Sequence, residues 1–128
     1  MIIQVEPQSE IPIYTQLTHQ IIKGIARGML KPGDTLPSVR AFAADLGVNM
    51  HTVNKSYHEL EKKGIIQIVP KSGAVILPPQ KIMVGDAIHA RIQAEWTPLV
   101  SEALVIGMEK EQILQLVTDM IHDLYINE

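Results

Sequence analysis

Three features of this sequence predict a mainly α chain with a small β-hairpin. Three apolar stripes at helical spacing occupy residues 12–64, separated by short turns. Two short runs rich in Ile and Val, 65–69 and 74–77, then flank the turn residues Pro70, Lys71, Ser72 and Gly73. Two more apolar stripes follow Pro78 and Pro79 and run almost to residue 128. Three helices closed by a hairpin are the layout of a winged helix-turn-helix. Residues 1–79 are therefore expected to form that domain, and residues 80–128 a two-helix dimerisation tail.

Each element has a local reason. Helix one is expected to start at Pro12, whose fixed φ suits a first helical position. Ile13, Leu17, Ile21 and Ile25 form its apolar stripe, and Gly28 stops it. Lys31, Pro32, Gly33 and Asp34 spell a turn. Thr35, Leu36 and Pro37 are too short for more than an extended bridge. Ser38 is placed to N-cap helix two, with Val39, Phe42, Ala43 and Leu46 on the buried face and Gly47 as a left-handed stop. Asn49 caps helix three, which buries Val53, Ser56, Tyr57 and Leu60 and ends at Gly64. Pro78, Pro79, Gln80 and Lys81 read as a stiff linker at the domain boundary. In the tail, Ile88, Ile92 and Trp96 share a face. Pro98 argues against a continuous helix, so a kink is expected, or a restart with Thr97 as cap and Pro98 at the first position. Leu99, Val100, Ala103 and Ile106 continue the stripe to a stop at Gly107. A last helix over 110–125 carries Ile113, Leu114, Val117, Met120, Ile121 and Leu124.

The chain is 46% hydrophobic, the composition of a folded protein, and with one Phe and one Trp its core must be largely aliphatic. It contains no Cys, which excludes disulfides, iron–sulfur clusters and thiol nucleophiles and fits a reducing compartment. The opening MIIQVEPQSE lacks the basic-then-apolar order of a secretory signal. No apolar run approaches the roughly 18–20 residues that span a bilayer. A soluble, cytoplasmic protein with no membrane partner is expected. The net charge of −3 argues against a nucleic-acid partner until its distribution is read. Residues 1–79 carry eight Lys and Arg against six Asp and Glu, while residues 80–128 carry three against eight. A balance of +2 followed by one of −5 suggests different roles for the two parts.

Residues 46–64, LGVNMHTVNKSYHELEKKG, pose the functional question, because the face opposite the apolar stripe is polar without obvious pairing. An α-helix fits the major groove of DNA. His51, Thr52, Asn54, Lys55 and His58 are groups that hydrogen-bond base edges or phosphates, and Met50 suits thymine methyls. Arg40, in the first turn of helix two, is placed to reach a phosphate, where helix N-terminal N–H groups also favour an anion. Lys71 at the wing tip is placed to reach an adjacent groove. The competing readings are a surface ion pair for Arg40 and solvated helix surface for His51 and His58. His19, His51, His58, His89 and His122 show no ligand spacing such as HxxxH, so no metal site is expected. GxSxG, GxGxxG and GxxxxGKS/T are all absent, so neither an enzyme nor a bound cofactor is expected.

PIYTQL, the turn KPGDTLPSVR, LGVNMHTV, the ELEKKGII run and the glycine before AVIL occur in this order and spacing. Through them residues 11–77, about half the chain, resemble the N-terminal domain of the GntR family of bacterial transcription regulators. The resemblance implies DNA contact by Arg40, residues 49–54 and the wing tip. Combined with the readings above, the candidate DNA-binding set is Ser38, Arg40, Asn49, Met50, His51, Thr52, Asn54, Lys55 and Lys71. Many relatives have Arg at the positions of Met50 and Asn54, and the family's PSER reads Pro37, Ser38, Val39 and Arg40 here. With fewer arginines, Asn54 pairing with adenine and Met50 packing on thymine predict an A·T-containing half-site.

The short tail, with LVSEALVIGMEKEQILQLV across its joint, is similar to that of the YtrA-type subfamily. That likeness implies a dimerising tail, repressor activity and neighbouring ABC-transporter genes. Glu109 stands where a Ser or Asp cap is usual. Physical reasoning also points to a homodimer, since a helical pair of this size is marginal alone and packing on a second copy covers its apolar faces. The candidate dimerisation residues are Ile88, Ile92, Trp96, Leu99, Ile113, Val117, Met120, Ile121 and Leu124. A symmetric dimer offers two recognition helices to a pseudo-palindromic double-stranded operator. The tail is too small to enclose a ligand pocket within one subunit. The dimer interface, or the space between tail and wing, remains open to a small-molecule effector of unknown identity. The rival reading is a winged helix that docks on another protein, which salt dependence would distinguish from DNA binding.

Overall fold

The computed structural model describes residues 3–79 and 86–126. Gln80 and Lys81 of the expected linker lie outside the described residues. The elements in order are α1 (Ile13–Ala26), β1 (Thr35–Leu36), α2 (Val39–Leu46), α3 (Met50–Lys62), β2 (Ile66–Val69), β3 (Gly73–Ile76), α4 (Asp86–Val105) and α5 (Lys110–Ile126). The chain divides into two compact units, residues 1–79 and 80–128. No helix among the described residues is long and apolar enough to cross a membrane.

In the first unit, the stripes of α1, α2 and α3 meet over the sheet. Leu17, Ile21, Val53, Tyr57, Leu60, Ile66 and Ile76 are each at most 1% exposed. The polar member of the α3 stripe, Ser56, is buried against Thr18 with the hydroxyls 2.8 Å apart. Thr18 already donates to the Tyr14 carbonyl, so Ser56 is the donor between them, and the α1–α3 seam leaves neither group unpaired. Pro12 is the N-cap of α1 rather than its first helical residue, with an extended ψ of 145°. Ahead of it, the side-chain amides of Gln16 and Gln20 pair with the backbone of Glu6 and Gln4 and hold the N-terminal segment along α1.

The sheet has three strands in the order β1-β3-β2, all antiparallel. The expected hairpin is β2–β3, and the expected bridge at Thr35 and Leu36 is a third strand. Leu36 pairs with Ala74 and Thr35 with Val75. Two residues carry no periodicity of their own; the β3 edge makes them a strand. The Lys31–Asp34 turn steers the chain onto that edge, closed by Asp34 N–H to Lys31 O at 2.9 Å and Lys31 N–H to the Asp34 carboxylate at 2.8 Å.

In the second unit, Pro98 does not divide α4, which continues through it from Asp86 to Val105. Thr97 is no cap: its hydroxyl donates to Gln93 O at 2.7 Å, and Ser101 donates to Thr97 O at 2.7 Å. Neither bond serves the Ala94 carbonyl, whose i+4 donor is the N–H that Pro98 lacks. Ile106 lies just past the helix end, beside Gly107 with φ 98°. At the start of α5 Glu109 supplies no short cap. Instead Gln112 reaches back and accepts the Glu109 N–H at 2.8 Å, half of a capping box.

Candidate nucleic-acid interface

The candidate site is built by two helix starts and a hairpin. Ser38 Oγ accepts the Ala41 N–H at 3.1 Å and fixes the first turn of α2, where Arg40 projects into solvent. Gly47 ends α2 in the left-handed conformation, with φ 69°. Asn49 Oδ1 then accepts the His51 N–H at 2.7 Å and starts α3. This turn brings the N-terminal half of α3 beside the first turn of α2. The Tyr57 hydroxyl donates to Pro37 O at 2.7 Å and ties the entry of α2 to the core face of α3. Burial raises the pKa of that phenol above its ordinary value, so it remains a neutral donor.

The wing is held just as firmly. The Glu61 carboxylate accepts the Ile68 N–H at 2.9 Å, occupying a donor on the open edge of β2 and linking the wing to α3. Gly73 begins β3 at φ 111°, and a Cβ built there would stand 2.1 Å from Leu36 O. Only glycine lets β1 and β3 approach so closely. At the tip Lys71 takes a left-handed φ of 67°, the one non-glycine among the described residues to do so.

Between these elements lies a cleft of about 560 Å³. Ser38, Val39 and Arg40 line it from α2; Met50, His51 and Asn54 from α3; Ile68, Val69, Pro70, Lys71 and Gly73 from the wing. Six of the nine sequence candidates thus converge: Ser38, Arg40, Met50, His51, Asn54 and Lys71. Asn49 uses its side chain as the α3 cap. Thr52 is half-buried and outside the cleft lining. Lys55 also lies outside it, with its ammonium 4.0 Å from the centre of the Tyr14 ring. Among the described residues no carboxylate pairs with Arg40. The wing residues Ile68, Val69 and Pro70 were not anticipated. Strand alternation assigns Ile68 and Val69 to opposite faces, yet both line the cleft. The arrangement places a guanidinium and an ammonium around one amide, one imidazole and one thioether. Such a set is chemically suited to an anionic backbone beside hydrogen-bonding and apolar base edges. Among the described residues no group of three His, Asp or Glu side chains could hold a metal ion.

The candidate dimerisation residues also have definite places. Ile88, Ile113, Val117 and Leu124 are half-buried, whereas Ile92, Trp96, Leu99, Met120 and Ile121 are exposed. Trp96 and Leu99 are 55% and 69% exposed and belong to a run of exposed apolar side chains with Ile92, Val100 and Leu104 on α4. An apolar groove of about 380 Å³ runs between α4 and α5, lined by Trp96, Leu99, Val100, Ala103, Ile113, Leu116, Val117 and Met120. Leu116 was missed because it falls at the margin of the Ile113–Val117–Met120 stripe.

The gntR family of bacterial regulatory proteins matches residues 13–76. The HTH-type transcriptional repressor YtrA of Bacillus subtilis (strain 168) is 34% identical over 121 residues, covering 94% of this chain and 93% of that protein. A crystal structure described as a transcriptional antiterminator from Listeria monocytogenes EGD-e superposes with a TM-score of 0.86 at 26% identity, over 100% of this chain and 98% of the other. The DNA-binding domain of AraR in complex with operator ORX1 superposes with a TM-score of 0.50 at 27% identity, over 56% of this chain and 89% of the other. The relatives are regulators of transcription, not enzymes.

Proposed function

We propose that this chain, which belongs to the gntR family of bacterial regulatory proteins and is a DNA-binding regulator, represses transcription by binding a pseudo-palindromic operator as a homodimer. The observation that carries the reading is the cleft between α3 and the wing, where Arg40, His51, Asn54 and Lys71 converge without carboxylate partners among the described residues. In this reading residues 1–79 bind DNA and residues 80–128 dimerise. The N-terminal half of α3 enters the major groove, Met50 and Asn54 read A·T pairs, and Arg40 and Lys71 hold phosphates beside it. The exposed apolar faces of α4 and α5 pack on those of a second copy. The resulting two-fold symmetry sets the half-sites about one helical turn apart. The protein acts in the cytoplasm on a neighbouring operon, with ABC-transporter genes as the first candidates. An effector that relieves repression must bind the free and DNA-bound states with different affinity.

The test is selection from randomised double-stranded DNA by the full-length protein at about 150 mM salt, the regime in which non-specific contacts are weakened. The expected outcome is a palindromic consensus with A·T pairs at the positions facing α3. Half-sites with only G·C there would sink the base readout. Recovery of no consensus would overturn operator recognition.

A further inference from the structure

On the flank of α3 away from the wing cleft, Lys55 lies over the ring of Tyr14, near the start of α1. Arg40 and Lys71 both belong to the cleft, on the other flank. A helix seated in the major groove runs between two phosphate backbones, since the groove is only about 12 Å wide. The cleft therefore supplies cations to one backbone. Lys55 supplies one to the other, because Lys62 and Lys63 stand at the far end of the helix.

An ammonium on a four-carbon stem is normally mobile, and ordering it on binding costs affinity. Tyr14 removes much of that freedom. Its half-buried ring is set by α1, whose seam with α3 is pinned by Thr18 and Ser56 one turn along. The ammonium rests on the ring face, 4.0 Å from its centroid. It carries three donors, so those not turned to the ring remain open to a phosphate oxygen.

We infer that Lys55 and Tyr14 form a second phosphate clamp on the strand across the groove from the wing, with Lys55 as the contact and Tyr14 as its positioning residue. This rests on the DNA-binding reading above and adds a residue that neither helix two, helix three nor the wing contains.

The experiment measures binding of the full-length protein to a random-sequence 30-base-pair duplex across a salt series, with thermal midpoints recorded alongside. Phosphate contacts operate without sequence specificity, and each contributes about 0.9 to the slope of log affinity against log salt. Lys55→Met is expected to lower the slope by about 0.9 per bound subunit, close to an 8-fold loss at 0.1 M salt. Tyr14→Leu and Tyr14→Met, which keep bulk but lose the π face, are expected to lower it partway or fully to the same value. Tyr14→Phe keeps the face and should keep the wild-type slope. Lys55→Met combined with Tyr14→Leu should lose no more slope than Lys55→Met alone. A change in packing alone moves the thermal midpoint and leaves the slope intact. An unchanged slope in Lys55→Met overturns the clamp. An unchanged slope in both folded Tyr14 variants, with a reduced one in Lys55→Met, overturns the role of Tyr14. A wild-type protein that binds no duplex even at about 50 mM salt overturns the DNA-binding reading, and the clamp with it.

Discussion

The two units use similar apolar residues to opposite ends. In the first, Leu17, Ile21, Val53, Tyr57 and Leu60 are wholly removed from water by three helices and a small sheet. In the second, none of residues 87–125 is buried. Two helices present one broad seam to each other and leave the rest of their apolar surface outside. A unit that closes its own core positions polar groups on its exterior, and the cleft around α3 is such an exterior. The second unit leaves Trp96, Leu99 and Leu104 more than half exposed, apolar surface of the kind that interaction faces carry.

The largest expected effect comes from charging that open seam. Val117→Glu with Ile121→Glu buries two carboxylates wherever a second copy packs. Light scattering should report the monomer mass. Affinity for a two-half-site operator should fall at least about 100-fold, because the second half-site is then no longer bound intramolecularly. The first unit shares no core residue with these positions, so its own thermal transition should persist. A double variant that remains dimeric refutes the assignment of this face.

The converse change strikes the first unit and spares the second. Gly73→Ala forces a Cβ onto Leu36 O and Pro37 O at a φ of 111°. Strain and overlap together should cost roughly 2–5 kcal/mol in chemical denaturation. Because β1 and β3 must separate, the wing should shift and operator binding weaken, while the oligomeric state stays as in the wild type.

The contrast between the units was partly legible in the sequence. Ser38, Gly47, Asn49 and Gly64 punctuate α2 and α3 so clearly that the helix-turn-helix and its buried stripe could be read residue by residue. Those signals are local, arising from caps and left-handed stops within one or two turns. What was not legible depends on partners distant in the chain. The strand character of Thr35 and Leu36 comes from Ala74 and Val75. The seat of Lys55 comes from Tyr14. The inclusion of Pro70 and Val69 in the cleft wall comes from the wing's approach to α2 and α3. Pro98 shows the limit of a sound rule. Proline disfavours a helix interior by about 3 kcal/mol, yet α4 keeps its remaining backbone bonds and adds those of Thr97 and Ser101.

A smaller effect separates cleft from mere surface charge. Arg40→Ala should weaken binding to every duplex by roughly 10-fold and lower the salt slope by about 1 per subunit, with dimerisation and stability unchanged. Lys62→Ala removes the same charge at the far end of α3 and should leave affinity close to the wild type. Titration of both variants by fluorescence anisotropy decides the matter: equal losses would mean that a diffuse field, rather than the cleft, holds the DNA.

The smallest effect tests whether the first unit's core reaches as far as Pro37. Tyr57 is buried with its hydroxyl bonded to a carbonyl, and burial holds its folded-state pKa above the ordinary phenol value of 10.0. Above pH 10 the unfolded chain therefore loses this proton while the native state keeps it. The native state then binds more protons than the unfolded one, so stability falls as pH rises. The stabilisation is complete below pH 10 and should decline by at most about 1.4 kcal/mol per pH unit above it. Tyr57→Phe removes the titrating group and the hydrogen bond to Pro37 O. It should cost about 1 kcal/mol at neutral pH and flatten the alkaline limb. Denaturant midpoints between pH 9 and 11 check both. If the limb stays as steep in Tyr57→Phe, other groups carry the alkaline loss. The link from α3 through Tyr57 to the start of α2 would then be weaker than its geometry indicates.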